Sequence, residues 1–209
     1  MTTLLGFSDA SSGSSACIIR DGITLAAIDE ERIRRIKYCG GFPELAIKEV
    51  IKIAKIRPSD IDRAVMGYKE ILFPLYINHT VLNHRKLTVN PIKNWADRIG
   101  ISMFEKYASY THSSKFLNWF DYTTTQNMIR SALSKLGINV PLVRYDHHTC
   151  HAATAALTSG WSKCLVITAD GRGDGITSTV SIFENNKLKR LSYSTVESSL
   201  GHFFGAVTE

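Results

Sequence analysis

The chain lacks long apolar runs, paired cysteines and segments of biased composition. None of its 209 residues belongs to an apolar stretch approaching the ~20 residues of a membrane helix, and the first residues do not resemble a secretion signal. The four cysteines are widely spaced and form no Cys-x-x-Cys pair, which favours reduced thiols over a disulfide framework. We therefore expect a cytoplasmic protein that does not associate with membranes.

Disorder is not indicated either. Hydrophobic residues make up 44% of the chain and charged residues 21%, the balance of a globular protein with enough apolar chain to form a core. The formal net charge of +6 favours anionic partners such as phosphates, nucleotides or nucleic acid. The densest basic cluster consists of Arg32, Arg34, Arg35 and Lys37. Such a cluster is either a solvated helix face or a surface that contacts phosphate.

The first part of the chain predicts a mixed α/β arrangement. Three strands are expected at Leu4–Ser8, Ala16–Ile19 and Ile23–Ile28, with Asp21-Gly22 as a tight hairpin turn between the last two. Helical sequence follows from Asp29 to about Cys39. A second helix is expected after Pro43, and a fourth strand ends near Tyr68.

A helical insertion is predicted from about residue 70 to residue 138. It contains many aromatic residues and little alternation of β-branched residues, and its best helix is Thr123–Leu136, stopped by Gly137. The aromatic side chains are interpreted as core rather than as a ligand cage.

The last part of the chain repeats the order of the first. Strands are predicted at Leu165–Ala169, Thr177–Glu184 and Lys187–Thr195, with a glycine-rich turn over Asp170–Gly175. Two such halves are typical of the actin and hexokinase class of duplicated, ribonuclease H-like folds, in which two strand-turn-strand loops hold nucleotide phosphates. We predict a first lobe over residues 1–163 and an incomplete second lobe over residues 164–209. A fragment is therefore expected, and a homodimer is one way to cover its open sheet.

The sharpest local motif is Asp146-His147-His148-Thr149-Cys150-His151. On a helix His147 and His151 lie one turn apart on one face, where two imidazoles can share a metal ion, whereas His148 points elsewhere. A zinc site with Cys150 as an additional ligand is a further possibility. The alternative is that the histidines pack the start of a helix capped by Asp146.

A second motif is Asp170-Gly171-Arg172-Gly173-Asp174-Gly175. Glycines let backbone N–H groups approach an anion, so this segment is a candidate phosphate cradle, and Asp170 could hold a metal or orient a nucleophile. Asp174 could act in the same way or shape the turn. The alternative is a hairpin whose glycines supply positive φ angles.

The opening turn, with Ser12 and Ser14, is the corresponding loop of the first half. Its small hydroxyl side chains are candidates for binding phosphate or substrate hydroxyls, although serine- and glycine-rich turns are common.

Together these segments resemble the carbamoyltransferases of nodulation-factor and antibiotic biosynthesis. The resemblance rests on Asp29–Lys37 followed by Gly41-Phe42-Pro43, on the histidine motif with Ala152-Ala153, and on the glycine-rich segment followed by Ser199-Leu200-Gly201 and Ala206–Glu209. It covers both ends of the chain and does not inform the middle, from about Tyr68 to Val140.

The resemblance implies an enzyme that uses ATP and carbamoyl phosphate. A separate carboxy-terminal domain makes carbamoyl-adenylate, and the actin-like domain transfers the carbamoyl group to a sugar, antibiotic or nodulation-factor-like hydroxyl acceptor. By position, His147, His151 and Asp170 become ligands of a divalent metal (iron, zinc or magnesium), with Asp170 alternatively a general base. Lys37 becomes an anion contact, and Gly171–Gly175 the phosphate cradle.

Two departures from the family pattern stand out. Many members have His-Asp-Ser in the first loop where this chain has Ser12-Gly13-Ser14, which affects the expected acceptor contacts. The chain also stops before the late metal-binding aspartate, the adenosine pocket and the adenylate-forming domain of the family. We therefore expect the fragment alone to lack full activity.

Two other interpretations remain open. Enzymes that transfer threonylcarbamoyl groups to tRNA carry a similar His-x-x-x-His motif, and the basic charge would suit tRNA. Against this, the Asp-Gly-Arg-Gly-Asp-Gly segment resembles the hydroxyl-modifying branch, for which nucleic acid is not the expected partner. The second interpretation is a metal-stabilised binding fragment with no catalytic activity.

Overall fold

The amino-terminal strands belong to a five-stranded mixed sheet. The computed structural model describes residues 1–9, 13–37, 39–69, 114–195 and 198–208. The first of two units comprises Met1–Met66 and Glu70–Val143, and the second comprises Gly67–Lys69 and Arg144–Glu209. The second unit thus begins before the sequence-based boundary at residues 163 and 164, so the histidine motif belongs to it.

The strand order of the first sheet is β3-β2-β1-β4-β5. β1 pairs antiparallel with β2 and parallel with β4, and β2 pairs antiparallel with β3. The strands are β1 Thr3–Ser8, β2 Ser15–Arg20, β3 Ile23–Asp29, β4 Arg63–Met66 and β5 Leu142–Arg144. The predicted turn is confirmed, because Asp21 and Gly22 have φ angles of 48° and 83°, as a tight hairpin requires.

The helices of the first unit are α1 Glu30–Arg34, α2 Glu44–Ile53 and α3 Lys115–Lys135, with a short 3₁₀ helix at Pro58–Asp60. α1 is shorter than the predicted helical segment because Arg35 adopts a left-handed conformation, with φ 58°, and closes the helix. α3 confirms the best predicted helix and ends before Gly137, whose φ is 77°.

The expectation of an aromatic core is wrong for α3. This helix buries Thr125, Ile129 and Leu133, whereas four of its aromatic side chains are exposed: Phe116, Trp119, Phe120 and Tyr122. The remainder of the predicted insertion, residues 70–113, lies outside the described residues. No helix in the described ranges has the length and apolar character of a membrane span.

A buried carboxylate explains the Glu-Glu-Arg stretch. Glu30 is 1% exposed, and its two oxygens accept hydrogen bonds from the backbone N–H groups of Leu45 (3.3 Å) and Ala46 (2.7 Å) at the start of α2. Arg34 donates to the same carboxylate at 2.6 Å. Because Pro43 at the N-cap contributes no side-chain hydrogen bond, Glu30 caps α2 from a neighbouring helix.

The second unit contains a three-stranded antiparallel sheet in the order β6-β7-β8. Its elements are α4 His147–Thr158, β6 Lys163–Gly173, β7 Ile176–Glu184, β8 Lys187–Thr195 and α5 Leu200–Thr208. Ala152 and Ala156 of α4 pack against Val166 and Phe183 of the sheet. The predicted strand-turn-strand-turn-strand order is confirmed.

The glycine-rich segment differs from its prediction as a turn. β6 continues to Gly173, and the turn itself is only Asp174-Gly175, with φ angles of 50° and 71°. Ala169 pairs with Ser178 and Gly173 with Ile176, so three β6 residues lie opposite Thr177 alone. The two additional residues form a bulge, a device that redirects side chains next to functional sites.

Candidate metal centre

The start of α4 places two histidines on one face. Asp146 is the N-cap, and its Oδ1 accepts hydrogen bonds from the backbone N–H and the hydroxyl of Thr149, both at 2.8 Å. Asp146 thus caps the helix, as the alternative interpretation of the motif proposed, while the two histidines remain available as ligands. The helix begins at His147, and the Nε2 atoms of His147 and His151 are 3.0 Å apart.

The β6 bulge supplies a carboxylate to these histidines. Oδ2 of Asp170 lies 2.7 Å from His147 Nε2 and 3.6 Å from His151 Nε2. One ligand atom from each of the three side chains lies within 4.8 Å of the others. The structure thus brings together the three residues predicted as metal ligands.

The donor set fits a divalent transition metal. Two imidazole nitrogens and one carboxylate oxygen are a combination found at non-haem iron and catalytic zinc sites. The His147 side chain is 10% exposed, whereas those of His151 and Asp170 are 54% and 38% exposed. The cluster therefore has one buried side and one side open to solvent, as a site that admits substrate requires.

The charges in the cluster affect one another. Burial raises the pKa of Asp170, but the hydrogen bonds from His147 and from the backbone N–H of Gly171 outweigh it, so the pKa lies below its usual value. Burial lowers the pKa of His151, and the nearby His147 lowers it further. Asp170 is therefore a carboxylate and His151 a neutral imidazole near pH 7, the states that bind metal ions.

Three neighbours determine the position of His147. A Cβ added to Gly173 would lie 1.9 Å from its Cδ2 atom, so the ring occupies the space of that missing side chain. The ring of Tyr68 lies on it at a centroid distance of 4.4 Å. Asp174 accepts a hydrogen bond from the His147 backbone N–H at 2.7 Å and also bonds the backbone N–H of Lys69. Asp174 therefore positions the histidine rather than acting as a fourth ligand.

His148 and Cys150 lie outside the cluster. His148 is fully buried, and its Nδ1 and Nε2 atoms contact the Thr168 hydroxyl (2.8 Å) and the Ile176 carbonyl (2.9 Å). Because a carbonyl only accepts, Nε2 carries the proton and the ring is a structural element of the core. Cys150 packs near Gly67, and within the described ranges the group of candidate ligands contains no cysteine.

The predicted phosphate cradle is occupied largely by protein contacts. The backbone N–H of Gly171 donates to Asp170 Oδ1 at 2.6 Å, and its carbonyl accepts from the Ser199 hydroxyl at 2.9 Å. Gly201 of α5 packs directly on Gly171. Gly175 forms the turn, and Arg172 is partly exposed. A cradle formed by Gly171–Gly175 stays a prediction.

The remaining predicted site residues belong to the first unit. Ser14 is fully buried, and its hydroxyl donates to the Cys39 carbonyl at 3.0 Å, so it stabilises a loop rather than offering a phosphate ligand. Lys37 is exposed beyond the end of α1. Ser12 lies outside the described residues.

Sequence inspection missed Arg190 of β8. Its Nη2 contacts Asp146 and donates to the Thr149 hydroxyl at 3.1 Å, so it anchors the cap of the helix that carries both histidines. Burial raises the pKa of Asp146, but hydrogen bonds from Arg190 and Thr149 outweigh it and lower the pKa. No spacing rule links residues 146 and 190; only the pairing of the sheet brings them together.

Comparison with known proteins identifies the family. Residues 4–209 match the family described as "Carbamoyltransferase N-terminus". The chain belongs to this family. The resemblance noted in the sequence is thereby confirmed, and the cluster of His147, His151 and Asp170 lies in a carbamoyltransferase N-terminal domain.

The relatives of this carbamoyltransferase domain are longer proteins. Nodulation protein NolNO of Sinorhizobium fredii is 27% identical over 192 residues, which cover 90% of this chain and 23% of that protein. The uncharacterized protein sll1178 of Synechocystis is 26% identical over 213 residues, which cover 100% of this chain and 32% of that protein. The chain thus spans a third or less of the length of these two relatives. Among solved structures, YeaZ from Pseudomonas aeruginosa has a TM-score of 0.46 and 9% identity, over 92% of this chain and 65% of that one.

Proposed function

We propose that these residues are the amino-terminal part of an O-carbamoyltransferase that transfers a carbamoyl group from carbamoyl-adenylate to an acceptor hydroxyl. The observation that carries the proposal is the convergence of His147, His151 and Asp170 at one open site in a carbamoyltransferase N-terminal domain. The carbamoyl-adenylate would be formed from carbamoyl phosphate and ATP. The acceptor class is a sugar-, antibiotic- or nodulation-factor-like hydroxyl compound.

The metal would be held by the two histidines and the aspartate. Their nitrogen-rich donor set supports iron or zinc over magnesium, which prefers oxygen ligands. When bound, such an ion supplies a Lewis acid that polarises the carbamoyl oxygen. The exposed side of the cluster, next to His151, is where acceptor and donor would approach.

Of the two roles considered for Asp170, the structure supports that of ligand. A general base works best when its pKa is near the working pH, whereas the pKa of Asp170 is held below the usual carboxyl value. A carboxylate of low basicity retains its charge and binds a cation well, but it removes a hydroxyl proton poorly. The acceptor proton would therefore pass to another group.

Two basic residues remain candidates for the anionic donor. Arg172 is partly exposed within the β6 bulge, and Lys37 is exposed in the first unit. Arg172 would contact the phosphate of the adenylate together with the backbone of Gly171–Gly175, and Lys37 remains a candidate anion contact of the first unit. This assignment follows from charge and exposure, because most polar groups of Gly171 already bond to protein.

We further propose that the two units correspond to the halves of an actin-like duplicated fold. Each unit contains a three-stranded antiparallel meander, β1–β3 in the first and β6–β8 in the second. In both, a helix follows the third strand: α1 begins directly after β3, and α5 begins at Leu200 after β8 ends at Thr195.

Metal analysis tests the cluster directly. We expect the purified chain to bind about one equivalent of Fe²⁺ or Zn²⁺, and His151→Ala or Asp170→Ala to lower the affinity more than about 100-fold, since even neighbours of ligands cost 10–100-fold. Glu184→Gln, which alters an exposed acid of the same unit, is the matched control. If the control and ligand variants bind metal equally, the cluster is not a metal site.

Transfer is tested separately. The chain is combined with ATP, carbamoyl phosphate, a hexose acceptor and the part of NolNO that this chain does not match, and carbamoylated sugar is measured by mass spectrometry. We expect product with the unaltered chain and none with His151→Ala. Product formation that is unaffected by His151→Ala and Asp170→Ala would contradict the proposed site.

A further inference from the structure

A separate pocket lies on the other flank of α4. Its volume is about 270 Å³, and it is lined by Lys69, Asp146, Thr149, Ala152, Ser181, Leu188 and Arg190. Thr149 is two residues from His147 and from His151, so it projects about 160–200° around the helix from the metal ligands. The pocket is therefore distinct from the candidate metal centre, although one helix contributes to both.

The positively charged side chains of the pocket still have N–H groups that could bind an anion. Asp146 is matched by Arg190, which contacts it through Nη2. Within the described part of the chain, Nη2 is the nitrogen of Arg190 that forms hydrogen bonds, so Nε and Nη1 remain as donors. The Lys69 ammonium has no ion-pair partner among the same residues. The pocket thus carries two cations against one carboxylate.

A hydroxyl group on the pocket wall is available to a ligand. Ser181 of β7 lines the pocket, and among the described residues its hydroxyl forms no hydrogen bond with protein. A serine hydroxyl can both donate to and accept from a bound group. Leu188 and Ala152 add an apolar wall beside these polar groups. A pocket of this volume holds more than one water molecule, since one occupies about 30 Å³ in the liquid.

We propose that this pocket binds a small molecule carrying an oxyanion group, a phosphate or a carboxylate. Arg190 offers the planar N–H groups that match two oxygens of such an anion, and Lys69 adds a point charge. The Ser181 hydroxyl donates a further hydrogen bond. The site is independent of the proposed transfer chemistry, because none of its lining residues is a ligand of the candidate metal cluster.

Binding of two simple probes to metal-free protein tests the site. Inorganic phosphate and acetate are titrated by calorimetry and by amide chemical shifts. We expect saturable millimolar binding of at least one probe, with shifts at Ser181 and Arg190; tighter binding of phosphate identifies a phosphate-bearing ligand, and tighter binding of acetate a carboxylate.

The variants separate the pocket from general charge effects. Lys69→Met and Ser181→Ala leave the Arg190–Asp146 pair intact, and Lys69→Met is expected to weaken probe binding about tenfold or more. Lys189→Met is the matched control, because this exposed lysine lies on the opposite face of β8 from Arg190. The absence of saturable binding to the unaltered protein, or equal losses in Lys69→Met and Lys189→Met, would overturn the proposal.

Discussion

Gly173 and His147 occupy complementary space: the imidazole ring lies where the Cβ atom of any other residue at position 173 would be, 1.9 Å from the His147 Cδ2. Contacts below 3.0 Å cannot be accommodated without movement. The contact is with a ring that Tyr68 and the start of α4 also hold, so the ring has little freedom to move aside.

We therefore expect Gly173→Ala to displace the His147 ring and lower metal affinity about 10–100-fold, the range found when the support of a ligand is lost. Metal titration measures the effect, and circular dichroism checks the fold. Gly205→Ala is the control, because a Cβ there has no neighbour within 4 Å and alanine favours helix by about 0.5–1 kcal/mol. Equal metal affinity in the two variants would contradict this role of Gly173.

Asp174 connects the turn of β6–β7 to two backbone N–H groups, those of His147 and Lys69. Asp174→Ala should cost about 1–2 kcal/mol in the free energy of unfolding, as for the loss of a helix cap, and should lower metal affinity as well. Asp174→Asn keeps an acceptor oxygen and tolerates the φ of 50° at this position. Urea unfolding should therefore find it less destabilised; equal losses would show that charge rather than capping matters.

Metal affinity should withstand mild acidification better than an ordinary histidine site. The pKa of His151 is below 6.5 because burial and His147 disfavour its charged form. Protons consequently compete with metal at His151 at a lower pH than they do at an ordinary histidine. Titrations with Zn²⁺ on either side of pH 6.5 measure the effect, and a steep loss of affinity beginning above that pH would contradict it.

The Asp146–Arg190 pair should contribute to acid lability. The folded-state pKa of Asp146 lies below the ordinary value of 3.8, so the folded state binds fewer protons than the unfolded state in that range. The stabilisation is complete above about pH 4 and is lost as the pH falls through the folded-state pKa. The free energy of unfolding, measured by urea titration, should therefore fall less between neutral and acidic pH for Arg190→Gln than for the unaltered chain. Lys189→Gln is the control. Equal losses in the two variants would argue against the pair.

In the first unit, the buried Glu30 is expected to be essential for folding. Glu30→Ala leaves Arg34 and the first N–H groups of α2 without their partner, and loss of one member of a buried pair costs about 3–5 kcal/mol. Glu49→Ala, at a more exposed pair with Lys52, should cost about 0–1 kcal/mol. Similar denaturation midpoints for the two variants would refute the capping role.

Local patterns predicted much of the fold and the centre of the site. The turn at Asp21-Gly22 is recognisable because Asp and Gly tolerate the positive φ angles that a tight hairpin requires, and both residues adopt them. The spacing of His147 and His151 fixes their common helix face, and Asp146 is an evident cap. These features depend on neighbours within a few residues, so the sequence contains them directly.

The missed features depend on register between distant segments. The β6 bulge results from the way Ala169 and Gly173 pair with β7, and the amino-acid composition of the segment does not predict it. Arg190 contacts Asp146, although the two residues are 44 positions apart in the sequence. The exposure of the α3 aromatics likewise reflects which face of that helix packs, a matter of tertiary contact that aromatic content alone does not reveal.

Because Asp170 lies in the β6 bulge, the cluster could be lost while the sheet that carries it is kept. Deleting Asp170 and Gly171 from the three residues between Ala169 and Gly173 would give a β6–β7 ladder of uniform pairing and remove the carboxylate from the histidines. A related protein could thus lose the candidate metal cluster through one short in-frame deletion and keep its architecture. The number of residues between these two positions is accordingly a simple criterion for recognising relatives that have the cluster and relatives that retain only the scaffold.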